Sequence, residues 1–124
     1  MYRIGISGHF DAAHYIKDYP GKCSRMHGHR WKVEVVVEGQ ELGEMNILID
    51  FGWIKTWLGS ILNKLDHYVL NEQLNEQNVT AEFLSRWIYG IANTWESYSG
   101  WPKGARVVHI TVWESPDCYA EYSE

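Results

Sequence analysis

The chain has 124 residues, 45% of them hydrophobic and 15% aromatic, enough apolar material for one packed core and too much for a disordered segment. Eleven basic against sixteen acidic residues leave a formal net charge of −5, which argues against a broad nucleic-acid footprint. No apolar run reaches the ~18 residues of a membrane span, and the first residues alternate too early for a secretory leader, so the expectation is one cytoplasmic domain over residues 1–124 with no membrane partner.

Tyr2, Ile4, Ile6, Gly8 and Phe10 alternate with Arg3, Gly5, Ser7 and His9, the period of a strand buried on one face, with His9 on the solvent side. After a polar stretch holding Tyr19-Pro20-Gly21, alternation resumes at Trp31, Val33, Val35 and Val37 and ends at Gly39. Asp50 is placed to cap a helix whose stripe is Phe51, Ile54, Leu58, Ile61, Leu62 and Leu65. Thr80 caps a second, with Leu84, Trp87, Ile88, Ile91 and Trp95 on one face and Val79 as a staple onto Leu84. Val108, Ile110 and Val112 predict a third strand, and Tyr119 to Tyr122 a short fourth that closes a hairpin. This order predicts an α+β domain, a four-stranded antiparallel sheet with two helices packed on one face. Val36, Val107 and Trp113 would leave apolar groups on the other face, which suggests cover by further copies of the chain.

Chemistry concentrates early. Between Tyr15 and Lys32 the charge balance reverses, with Lys17, Lys22, Arg25, Arg30 and Lys32 against Asp18 alone, which leaves room for a local anionic ligand. His27 and His29 leave the same face of an extended strand, and His14 near the end of the preceding strand supplies a third imidazole if the two strands pair. Three imidazoles with an open position suit catalytic zinc. Cys23 then has three readings: a fourth ligand closing the shell, an unbound thiolate acting as a base, or apolar filler. Lys22, Arg25 and a metal would all favour the thiolate, and the base is the preferred reading. Neither Cys23 nor Cys118 is expected in a disulfide.

Asp66-His67 is a candidate acid-base pair, because a carboxylate on an imidazole fixes its tautomer and stabilises its protonated form. Glu114 shares parity with Ile110 and Val112, so its carboxylate points toward the buried face and needs a partner; it would suit a planar N–H donor pair on a heterocycle. Thr80 and Glu82 are sufficiently explained by helix capping and dipole compensation.

Taken together, Phe10-Asp11-Ala12-Ala13-His14, Cys23-x3-His27-Gly28-His29, Ile49-Asp50-Phe51, Leu65-Asp66-His67, Thr80-Ala81-Glu82 and Glu114 resemble the 6-pyruvoyl-tetrahydropterin synthase family across nearly the whole chain. The three-residue gap between Cys23 and His27 looks like its 6-carboxy-5,6,7,8-tetrahydropterin synthase branch, which serves queuosine biosynthesis. The resemblance implies a tunnelling fold that oligomerises into a barrel, as a homohexamer built as a dimer of trimers with sites between subunits. It implies Zn2+ held by His14, His27 and His29, proton transfer by Cys23, Asp66 and His67, a pterin anchored by Glu114, and support for pterin binding from Thr80 and Glu82. The implied reaction converts 7,8-dihydroneopterin triphosphate to 6-carboxy-5,6,7,8-tetrahydropterin, acetaldehyde and triphosphate without nicotinamide or flavin.

Two rivals remain open at the level of sequence: a 6-pyruvoyl-tetrahydropterin synthase, which releases no two-carbon fragment, and a non-enzymatic binding module whose zinc shell Cys23 closes. One departure from the family pattern is Asn78-Val79-Thr80, where many relatives have proline before the threonine, which bears on how rigid that loop is.

Overall fold

In the computed structural model, which describes residues 1–124, the first two alternating segments become strands β1 (Tyr2–His14) and β2 (His27–Gly39). They pair antiparallel from Tyr2↔Gly39 to His14↔His27, so both run past the predicted alternation into the histidine-bearing segments. Helix α1 (Phe51–Asn63) follows, then a one-turn helix α2 (Leu70–Gln73), helix α3 (Ala81–Ala92), and strands β3 (Arg106–Ser115) and β4 (Cys118–Ser123). The strands form one antiparallel sheet in the order β1-β2-β3-β4.

Both predicted caps close their helices: Gly52 N–H donates to Asp50 Oδ1 at 2.6 Å, and Phe83 N–H to Thr80 Oγ1 at 3.1 Å. Ile54, Leu58, Ile61 and Leu62 of α1 and Leu84 and Ile88 of α3 pack on the sheet residues Ile6, Phe10, Trp31, Val33, Val35, Ile110 and Val112. Each such side chain contributes about 1.5–3 kcal/mol by leaving water. Phe51 departs from the expected stripe and is exposed, bordering a recess that it shares with Tyr2 and Ile4 of β1 and with Ile47 and Leu48. The second stripe is broken as well, since α3 ends at Ala92 and Trp95 belongs to a 3-10 turn, Asn93–Ser97.

A β-bulge corrects the third strand. Val36 pairs with His109 but Val37 with Val107, so Val108 is the extra residue. Val107 therefore enters the core and Val108 leaves it, the reverse of the predicted parity, while Ile110, Val112 and Glu114 downstream keep theirs. The face opposite the helices carries polar as well as apolar groups. Its cross-strand rows include Arg3–Glu38–Arg106, where the two guanidinium groups reach the Glu38 carboxylate at 2.9 and 2.8 Å.

Candidate functional site

At the far end of β1 and β2 the two-residue period sends His27, His29 and Trp31 to the helix-facing side, and Phe10, Ala12 and His14 join them from the neighbouring strand. One donor atom from each of His14, His27, His29 and Glu114 lies within 4.8 Å of the others. Trp31 forms the floor, with ring centroids 4.8 Å from His14 and 5.4 Å from His29, and its Nε1–H donates to the Ala12 carbonyl at 3.2 Å.

Backbone carbonyls set two of the tautomers. His14 Nδ1–H donates to Val79 O, and His27 Nδ1–H to Arg25 O, both at 2.6 Å. A carbonyl only accepts, so Nδ1 carries the proton and each Nε2 presents a lone pair. The buried Nε2 atoms of His14 and His29 have no hydrogen-bond partner. Glu114 Oε1 lies 2.8 Å from His29 Nε2 and 3.6 Å from His14 Nε2, close in distance without the alignment of a hydrogen bond. Burial pushes both imidazoles below the ordinary value of 6.5, against the opposing pull of the Val79 carbonyl on His14 and of Glu114 on both. These two rings are therefore neutral at neutral pH. Unpartnered, neutral, converging imidazole nitrogens beside a carboxylate match the donor set of a divalent cation such as zinc.

The other candidate residues lie apart from this group. Cys23 is half-buried in the 3-10 turn Lys22–Ser24, its carbonyl accepting from Ile16 N–H at 2.7 Å, and its thiol is not among the converging donors. Both cysteines are free.

Asp66 and His67 follow α1 and fasten to the outer edge of β1. Asp11 N–H donates to Asp66 Oδ1 at 2.9 Å, while His67 N–H donates to Asp11 O at 2.6 Å. The other carboxylate oxygen of Asp66 lies 2.8 Å from His67 Nδ1. The Asp11 amide, then the His67 ring, hold the Asp66 carboxyl below its usual range. His67 itself adopts the left-handed region, with φ 63°, and exposes its ring. Thr80 caps α3 and Glu82 is exposed in the first turn; neither joins the imidazole group.

Three supporting groups escaped the sequence reading. Trp31 read only as a strand residue. The Val79 carbonyl is a backbone group that valine and proline supply alike, so the departure from Asn-Pro-Thr leaves this contact available. Asn71 is buried, accepting from Tyr15 N–H at 3.0 Å and donating to Tyr15 O and Gln77 O at 2.9 and 2.7 Å. It ties the residue after His14 to the loop that carries Val79. Its only sequence signal is a polar residue directly after a buried leucine, which is too common to read.

The sequence matches the family described as 6-pyruvoyl tetrahydropterin synthase over residues 3–124. A Pyrococcus abyssi protein named putative 6-carboxy-5,6,7,8-tetrahydropterin synthase is 31% identical over 150 residues, covering 96% of this chain and 88% of the relative. An Archaeoglobus fulgidus relative with the same name is 34% identical, covering 95% and 92%. The Haemophilus influenzae 6-carboxy-5,6,7,8-tetrahydropterin synthase is 27% identical over the full length of both chains.

Among solved structures, Caenorhabditis elegans 6-pyruvoyl tetrahydropterin synthase superposes with a TM-score of 0.81 at 19% identity, covering 99% of this chain and 95% of that one. A Plasmodium vivax 6-pyruvoyltetrahydropterin synthase gives 0.77 at 18% identity, covering 99% and 97%. The four-stranded sheet with helices on one face is thus the tunnelling fold, and the chain belongs to the 6-pyruvoyl tetrahydropterin synthase family.

Proposed function

We propose that the protein is a zinc-dependent lyase that converts 7,8-dihydroneopterin triphosphate to 6-carboxy-5,6,7,8-tetrahydropterin, releasing acetaldehyde and triphosphate, in queuosine biosynthesis in the cytoplasm. The observation that carries this reading is the convergence of His14, His27 and His29, with two buried Nε2 atoms left without partners. The names of the curated relatives support the choice of product.

In this reading His14, His27 and His29 would hold Zn2+, which would supply Lewis-acid polarisation of substrate side-chain oxygens. Cys23 is the base that takes the proton from the adjacent carbon. His67 exchanges protons through Nε2, because Nδ1 faces the Asp66 carboxylate that orients it. Glu114 accepts a parallel pair of N–H bonds from the pterin, with Thr80 and Glu82 as supporting positions. The Asp66–His67 pair lies on the β1 edge and the imidazoles on the helix-facing side, an arrangement suited to sites completed by a second subunit in a homohexamer of two trimers.

A second reading has one specific observation in its favour: Glu114 lies close enough to the imidazoles to be a fourth metal ligand, which would close the shell. Glu114→Gln separates the two, since an anchor predicts zinc retained with pterin affinity lowered, and a ligand predicts zinc lost. The test of the main reading is a product assay on zinc-quantified protein. Acetaldehyde appearing in step with triphosphate supports it, and a pyruvoyl pterin without acetaldehyde transfers the protein to the sister activity. Cys23→Ala should keep its zinc and lose turnover by about 10²-fold or more, whereas loss of zinc would identify a structural site.

A further inference from the structure

The face of the sheet away from the helices carries a second convergence of charge. The register aligns His9, Lys32, Trp113 and Tyr119 in one cross-strand row, and Arg30 follows on the same face of β2, one pleat nearer the β1–β2 turn. His9, Arg30, Lys32, Trp113, Ser115 and Pro116 enclose a recess of about 340 Å³. Lys32 Nζ lies 4.7 Å from the centroid of the Trp113 ring, a cation–π contact between two residues that line the recess. Neither Arg30 nor Lys32 is in an ion pair, although Asp11 lies opposite Arg30 in the register and Glu34 follows Lys32 on that face.

We propose that this recess binds a short polyphosphate anion, with Arg30 supplying a planar fork of N–H donors, Lys32 a point charge and His9 a further donor. Arg30 and Lys32 repel one another in a concave site unless an anion joins them, and an arginine beside a lysine suits adjacent phosphate groups. The ligand is short because the next row, Ser7–Glu34–Thr111–Glu121, is acidic and would repel a longer polyanion such as nucleic acid. The recess shares no residue with the imidazole group and opens on the opposite face, so this site is independent of the pterin reading.

Titration calorimetry of the zinc-loaded protein with inorganic triphosphate tests the assignment, with orthophosphate as the control. Triphosphate should bind at least tenfold more tightly than orthophosphate, and its affinity should fall as salt rises. Arg30→Gln and Lys32→Gln should each weaken triphosphate about tenfold, while His27→Ala, which removes a candidate metal ligand, should leave it unchanged. Equal affinity for the two anions would overturn the proposal. So would wild-type affinity in both recess variants, or loss of binding in His27→Ala, which would relocate the anion to the imidazole group. Unaltered near-ultraviolet circular dichroism shows that each variant is folded and makes its titration decisive.

Discussion

The carbonyl of Val79 accepts a 2.6 Å hydrogen bond from Nδ1 of His14, a residue 65 positions earlier in the chain. The last residue before the α3 cap thus orients a candidate metal ligand at the end of β1, and occupancy of the imidazole group should couple to this junction. Zinc at a hundredfold excess over its dissociation constant should stabilise the fold by about 2.7 kcal/mol. Removing it with a chelator should speed amide hydrogen exchange around residues 14–17 and 77–80 more than in the centre of β2. Uniform exchange throughout the sheet would show that metal and junction are uncoupled.

Asn71 extends the same coupling. Replacing it with leucine leaves the backbone groups of Tyr15 and the carbonyl of Gln77 without their partner. The expected cost is about 1–3 kcal/mol in urea unfolding, with zinc affinity lowered about 10–100-fold in a chelator competition. A stability loss with unchanged zinc affinity would confine Asn71 to the fold.

His67 occupies a left-handed conformation that glycine and asparagine accept more readily than most side chains. His67→Asn should therefore unfold at the wild-type urea midpoint or above it while turnover falls about 10²–10⁴-fold. Substantial retained turnover would remove the ring from proton transfer. Strain tolerated at an exposed imidazole is the pattern of a residue kept for its chemistry.

Acid should act through Glu38. Hydrogen bonds from Arg106, then Arg3, hold its carboxyl below the ordinary 4.5, so the folded state binds this proton less readily than the unfolded chain. Its contribution is fully present above pH 4.5 and is lost as pH falls toward the folded-state value. Stability measured by urea unfolding from pH 6 to 3 should decline more steeply in the wild type than in Glu38→Gln. Parallel curves would show that Glu38 has no part in the acid transition.

Most of the fold was legible because its signals are local. Asp50 and Thr80 are helix caps within reach of their own amides, and the alternation at Trp31 to Val37 states which face is buried. The imidazole group was legible for the same reason, since His27 and His29 share a strand face and need only one long-range pairing to meet His14. The β-bulge at Val108 was hidden because it depends on how β3 meets β2, and a one-residue slip inverts a strand's parity without altering its composition. Asn71 and the Val79 carbonyl were hidden because their partners lie 56 and 65 positions away. The ion pairs of Glu38 join three strands and have no signature within any one of them.

The attachment of Asp66 and His67 to Asp11 also bears on how far the sheet can grow. β1 is an edge strand, and its outward amides recur every second residue at Arg3, Gly5, Ser7, His9, Asp11 and Ala13. Asp11 gives its amide to Asp66 and its carbonyl to His67, and Ala13 N–H bonds to Tyr68 O at 3.1 Å. Along this edge an incoming strand from another molecule therefore finds vacant ladder positions from Arg3 to His9 and not beyond. The segment that orients the proton-transfer candidates doubles as a stop that dictates where such a neighbour must end.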